Sequence, residues 1–143
     1  MKKTTTKKVA GEETGVPAQL KALFRSFSKL AEQAGEGRPL LRGLRVAHDP
    51  TADRFVVVHA GSRVEFVLTI TGDSATRHAE VECRAMDTAG ATEASPIASF
   101  QFDERGVITE STVSELANEK VDITSGAWSV VAAVLWKNMH AQV

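Results

Sequence analysis

The chain has 143 residues, of which 43% are hydrophobic and 24% charged, and its formal net charge is −1. This composition is typical of a folded domain with a sizeable core, and a single cysteine excludes an intramolecular disulfide and a cysteine-rich zinc site. No apolar run approaches the length that crosses a membrane, so we expect a cytoplasmic protein without membrane contacts.

The charge is unevenly distributed along the chain. The first 63 residues carry twelve basic and six acidic side chains, whereas the remainder carries five and twelve. A basic half favours binding to polyanions, so one alternative function is that of a nucleic-acid accessory protein. Its contacts would be weak and salt-sensitive because the basic residues are not interleaved with exposed aromatic ones. The candidate contact residues are Lys7, Lys8, Lys21, Arg25 and Lys29.

The N-terminal part divides into a tail and a helix. Residues 1–15 are polar and basic, and we interpret them as a disordered tail ahead of a single domain over residues 16–143. Pro17 suits the first turn of a helix, and Gly35 suits its C-terminal end. An apolar stripe at three- and four-residue steps between them predicts this helix; it comprises Leu20, Leu23, Phe24, Phe27, Leu30, Ala31 and Ala34.

Strand-like segments follow at short spacing. We predict a first strand over residues 41–48 and a second over 54–60, whose four consecutive apolar residues indicate either burial on both faces or a position beside a cavity. A fifth strand over 97–102 and a short sixth edge strand over 107–110 flank a turn with a glycine at position 106. Residues 88–95 between the fourth and fifth strands are small and polar, which predicts a flexible loop; we favour a plain hairpin connection over a mobile lid or a partner contact.

The third and fourth strands form the clearest pattern, a hairpin between Arg63 and Asp87. Alternate side chains of a strand point to opposite faces, and the apolar positions are Val64, Phe66, Leu68, Ile70, Ala79, Val81, Cys83 and Ala85. The polar face of the second arm carries His78, Glu80, Glu82 and Arg84. We interpret these four as forming cross-strand ion pairs with residues such as Arg63 and Glu65, not an acid–base site, because no segment supplies a covering wall.

Two helical segments complete the chain. Thr112–Glu115 matches a capping box and predicts a short helix through Asn118. Residues 126–139 form a last helix, capped by Thr124 or Ser125, which is apolar almost all round and therefore predicted to be buried on several sides. We expect the sheet to contact Trp128, Val131 or Ala132, Leu135 and Met139.

Together these segments predict an α+β fold: an antiparallel meander of five or six strands with the N- and C-terminal helices packed on one face. The sequence carries no nucleotide-binding or catalytic motif, and its four histidines lack metal-binding spacing, so no cofactor is expected. The favoured function is a small non-catalytic binding module that acts through protein–protein contacts as a homo-oligomer. Its candidate partner-contacting residues are Val130, Trp136 and Met139.

A third function remains open, that of a small-molecule-binding or enzymatic cavity between the sheet and the helices. Ala79, Ala85 and Ala98 are small where a filled core favours larger side chains. The residues expected to line such a cavity are Phe66, Leu68, Ala79, Val81, Ala98, Phe100 and Trp128.

Overall fold

The computed structural model describes residues 15–49, 53–72 and 77–141. It contains, in order, α1 (Gly15–Gly37), β1 (Arg45–Asp49), β2 (Arg54–His59), β3 (Ser62–Thr71), β4 (His78–Ala85), β5 (Ala98–Phe102), β6 (Ile108–Ser111) and α2 (Thr124–Ala141). Short 3₁₀ turns occupy Pro39–Leu41 and Ser114–Leu116. The predicted tail lies outside the described residues, apart from Gly15, where α1 begins.

The six strands form one sheet in the order β1-β2-β3-β4-β5-β6, and every neighbouring pair is antiparallel. Both helices contribute to the single hydrophobic core on one face of this sheet. The predicted α+β meander with two helices on one face is therefore confirmed. We call the opposite face, on which no described helix packs, the outer face.

The limits and burial of two strands differ from the predictions. The first strand begins at Arg45, not at residue 41, because Pro39 opens a 3₁₀ turn and Gly43 then adopts a φ of +86°. In β2, Phe55 and Val57 are buried whereas Val56 and Val58 are only half-buried. The prediction that β2 is buried on both faces was wrong, since no described helix covers its outer face.

The predicted capping box does not form. Val113 precedes the 3₁₀ turn at Ser114–Leu116, and no side chain caps that turn. The Thr112 hydroxyl instead accepts a hydrogen bond from the Ser99 amide at 3.0 Å, so this side chain joins the segment to β5. The hydrogen bond to β5 therefore replaces the local capping interaction that the sequence predicts.

Aromatic packing joins α1 to the middle of the sheet. The Phe27 ring lies with its centroid 5.4–6.0 Å from the rings of three strand phenylalanines, in edge-on arrangements. Edge-to-face contacts at such distances add to the stabilisation from apolar burial. The three strand residues are Phe55, Phe66 and Phe100.

The two helices are joined by close approach as well as by apolar contact. The Trp128 indole Nε1 donates a hydrogen bond to the Leu30 carbonyl oxygen at 2.8 Å. A Cβ at Gly37 would collide with the Trp128 ring, and a Cβ at Gly126 would collide with the Lys120 carbonyl. Glycine at both positions therefore allows α2 to sit against α1 and against the segment that precedes it.

Candidate interaction surfaces

The C-terminal half of α2 presents an apolar face to solvent. Trp136 is 62% exposed and Met139 is 49% exposed, although large apolar side chains are usually removed from water. The His140 ring packs on the Trp136 indole, with centroids 3.8 Å apart, and its Nδ1 lies 2.9 Å from the Trp136 carbonyl oxygen. Lys137 is the one Asp, Glu, Lys or Arg residue in α2, so this face carries little charge. We call Trp136, Met139 and His140 the α2 patch.

The third predicted partner-contacting residue, Val130, is not part of the α2 patch. Its side chain is fully buried in the core of this chain and cannot reach a partner. Met139, which we expected to face the sheet, is exposed instead. The buried side of α2 comprises Ala127, Val130, Val131, Val134, Leu135 and Asn138. Because α2 is apolar on most sides, the apolar pattern alone does not indicate which side faces the sheet.

Asn138 was missed in the sequence analysis. It is 1% exposed, and neither atom of its side-chain amide has a hydrogen-bond partner among the described residues. A buried amide without a partner costs about 1–3 kcal/mol of folding free energy. The signal available in the sequence was a polar residue four positions after Val134 on an otherwise apolar helix. This unfavourable contribution to the folding free energy arises in the same helical turns as the α2 patch.

The residues predicted to line a cavity are all within or against the core. Six of them are buried, and Trp128 is half-buried against them. Among four surface clefts of about 440–590 Å³ in the described part of the chain, one includes Phe100, and none includes any of the other six. The small side chains Ala79 and Ala98 are fully or almost fully buried.

A cleft of about 530 Å³ lies between α1 and the β1–β2 hairpin. Phe24 and Phe55 form an apolar part of its wall, and polar and charged side chains form the rest. Several of those side chains interact with one another: Glu32 Oε1 lies 3.3 Å from His48 Nε2, and Arg54 Nε lies 3.3 Å from an Asp49 carboxylate oxygen. The cleft therefore combines an apolar wall with an internally balanced set of charges.

Three of the five predicted polyanion-contacting residues can be placed. Lys21 Nζ lies 3.7 Å from an Asp53 carboxylate oxygen, which offsets part of its charge. Arg25 and Lys29 are exposed and line the cleft beside α1. Lys7 and Lys8 lie outside the described residues.

The polar stripe of β4 lies on the outer face, with interactions that differ from those expected. Arg84 pairs with Glu82 on its own strand at 2.6 Å and donates to the Glu93 carbonyl oxygen at 3.3 Å. Glu65 pairs with Arg54 of β2, although Arg84 lies directly opposite it in the sheet. The His78 Nε2 lies 2.7 Å from the Thr71 hydroxyl oxygen. The residues of the stripe thus make separate contacts and do not form one cluster.

The loop between β4 and β5 is exposed but anchored near β4. The Asp87 carboxylate accepts hydrogen bonds from the amides of Ala89 and Ala91, each at 2.9 Å. The Glu93 amide donates to the Ala85 carbonyl oxygen at 2.9 Å. These contacts organise the loop segment that was predicted to be flexible.

Other sources of chemistry are few in the described part of the chain. No group of three or more histidine, cysteine or acidic side chains is arranged to hold a metal ion among these residues. Cys83 is buried, and burial, followed by the neighbouring charge of Glu82, raises the pKa of its thiol far above the ordinary value. None of the helices within the described ranges has the length and apolar character to span a membrane.

Comparisons of the chain with protein-family models, with curated proteins and with solved structures gave no significant match.

Proposed function

We propose that this chain is a small, non-catalytic binding module that acts through protein–protein contacts and assembles as a homo-oligomer. The α2 patch carries the proposal. Trp136 and Met139 place two large apolar side chains in water on a helix that has almost no charge, and aromatic residues and methionine are enriched where proteins bind one another.

Light scattering of the full chain over a range of concentrations tests the proposal. We expect a mass above that of one chain, and a lower mass for the double variant Trp136→Glu, Met139→Glu, because carboxylates in an apolar contact would lose their hydration. Leu40→Glu is the control, since Leu40 is 87% exposed and lies on a different element. A strict monomer at the highest concentration would refute the homo-oligomer.

A second candidate function is the binding of a small molecule in the cleft beside α1. Its volume of about 530 Å³ lies in the range of ligand sites, and Phe24 and Phe55 supply an apolar wall. We rank it second because the cleft is open to solvent and its charges interact with one another. Crystals soaked with a fragment collection would test it, and an unoccupied cleft across the collection would argue against it.

A further inference from the structure

No strand of the described part of the chain pairs with the outer edge of β1. β1 is the end strand of the sheet and pairs with β2 alone. Its side chains are exposed or half-buried throughout. An end strand of this kind can accept another strand by continuing the pattern of backbone hydrogen bonds.

The opposite end of the sheet is partly closed. The Ile108 amide at the start of β6 donates to the Glu119 carbonyl oxygen at 2.8 Å, and the Asn118 amide donates to the Ile108 carbonyl oxygen at 3.0 Å. The segment 118–121 therefore occupies the free side of this part of β6. The two ends of the sheet are not equivalent, and β1 is the more open of the two.

The charges of β1 are complementary to those of a second β1. The strand reads Arg45-Val46-Ala47-His48-Asp49, and Arg45, Ala47 and Asp49 share the outer face. If two copies pair antiparallel about Ala47, Arg45 of each copy lies directly opposite Asp49 of the other, whose carboxylate also contacts Arg54 of its own chain. Directly opposed residues of an antiparallel pair interact, so opposite charges at these positions are favourable and like charges are unfavourable.

The charges of α1, which flanks β1, are likewise complementary to those of α1 in a second copy. Glu32 lies near His48 and Gly35 packs against Leu44, so α1 passes β1 in the opposite direction. Exposed α1 residues that border β1 are basic toward the N-terminus and acidic toward the C-terminus. They are Arg25 and Lys29, then Glu32 and Glu36. The two-fold axis that pairs the strands also sets two such helices antiparallel, with the basic part of each near the acidic part of the other.

We propose that two copies of this chain pair through β1, antiparallel and centred on Ala47, to form one continuous twelve-stranded sheet. The occupant of the open strand edge is thus a second copy of the chain. The inference rests on the homo-oligomeric part of the proposed function, but it does not depend on the α2 patch.

The test uses the full-length Trp136→Glu, Met139→Glu variant, in which contacts through the α2 patch are removed. We expect this variant to have the mass of two chains by light scattering. Adding Arg45→Asp places two pairs of carboxylates opposite one another in each dimer and should raise the dissociation constant roughly tenfold or more. Adding Asp49→Arg to that variant restores opposite charges and should restore the dimer.

Arg42→Asp is the control, because it makes the same charge change at an exposed position that precedes β1. It should leave the mass unchanged, and circular dichroism should show that every variant is folded. A monomeric Trp136→Glu, Met139→Glu variant would overturn pairing through β1, even if the wild type were oligomeric through α2. A dimer that Arg45→Asp leaves unaffected would also overturn it. The α2 assignment fails separately, if the patch variant keeps the wild-type mass.

Discussion

Glu65 illustrates how a single side chain can depart from the pattern of its strand. It lies on the outer face yet is only 6% exposed, and it pairs with Arg54 of the neighbouring strand. A buried carboxylate is costly unless a cation compensates it, and loss of the cation alone leaves an unpaired buried charge. The alternation of β3 predicted which face Glu65 occupies. It did not predict the choice of Arg54, because that choice depends on how β2 is aligned with β3.

Replacement of Asn138 separates the folding cost of its amide from any role in binding. Asn138→Leu keeps the number and branching of the side-chain heavy atoms and removes a buried polar group without a partner, so we expect the free energy of unfolding to rise by about 1–3 kcal/mol. Urea unfolding of the α2-patch variant, with and without this change, measures it without a contribution from contacts through α2.

Asn138→Asp is the matched comparison, since it keeps the shape but buries a charge, and it should reduce stability. If Asn138→Leu reduced stability, the amide would have to make a favourable interaction, and the interpretation of Asn138 as a folding cost would be incorrect.

Asp103, in the turn between β5 and β6, should make stability depend on pH. Burial alone raises its pKa, but hydrogen bonds from the amides of Val107 and Arg105, together with the Arg105 side chain, outweigh burial and hold the pKa below the ordinary value. A lowered pKa in the folded state stabilises the protein above the unfolded value of about 3.9, and this contribution is lost as the pH falls through the folded pKa.

We therefore expect Asp103→Asn to be less stable than the wild type at pH 6, with the difference shrinking toward pH 3. Urea unfolding at each pH measures this difference. Glu104→Gln removes a negative charge from the same turn without removing these hydrogen bonds and serves as the control. A difference that stayed constant between pH 6 and pH 3 would contradict the role of the Asp103 carboxylate.

At the scale of the elements, the start of α2 depends on a backbone contact that admits no side chain. Gly126 is buried, and a Cβ there would collide with the carbonyl of Lys120. Gly126→Ala should lower the free energy of unfolding by about 1–3 kcal/mol, although alanine favours helices, because the neighbouring backbone would have to move.

Lys137→Ala is the control for Gly126→Ala, since it also introduces alanine into α2 but at an exposed position. Its effect should lie within about 0.5 kcal/mol, as for most surface changes. Chemical unfolding followed by circular dichroism compares the two variants. An increase in stability for Gly126→Ala would show that helix propensity outweighs the close contact.

For the molecule as a whole, the sequence predicted elements better than it predicted surfaces. Alternation in β3 and β4 correctly indicated a core face with Phe66 and Val81, and the meander follows from short connections between antiparallel strands. The orientation of α2 was not predictable in this way, because a helix that is apolar on most sides has no dominant face. Val130 was therefore expected at a surface, and the edge position of β1 became evident only from the complete sheet.

The capping box at Thr112 shows a related limit. A local motif describes what a segment favours in isolation. In the folded chain, the Thr112 hydroxyl instead accepts a hydrogen bond from the Ser99 amide of β5. Predictions that depended on one segment and its periodicity succeeded more often than those that required the position of a distant strand. Helical spacing left Trp136 outside the set expected to face the sheet, and Trp136 is exposed.

The closure of β6 by residues 118–121 has a consequence for the size of any assembly built through the sheet. A sheet with two open ends can add further copies without limit, which is the geometry of a fibril. Here one end is partly blocked by the chain's own backbone, so pairing through β1 uses the open edge of each copy and favours a closed dimer over continued growth. Residues 118–121 would thus block the addition of further copies at β6 and limit aggregation at high concentration.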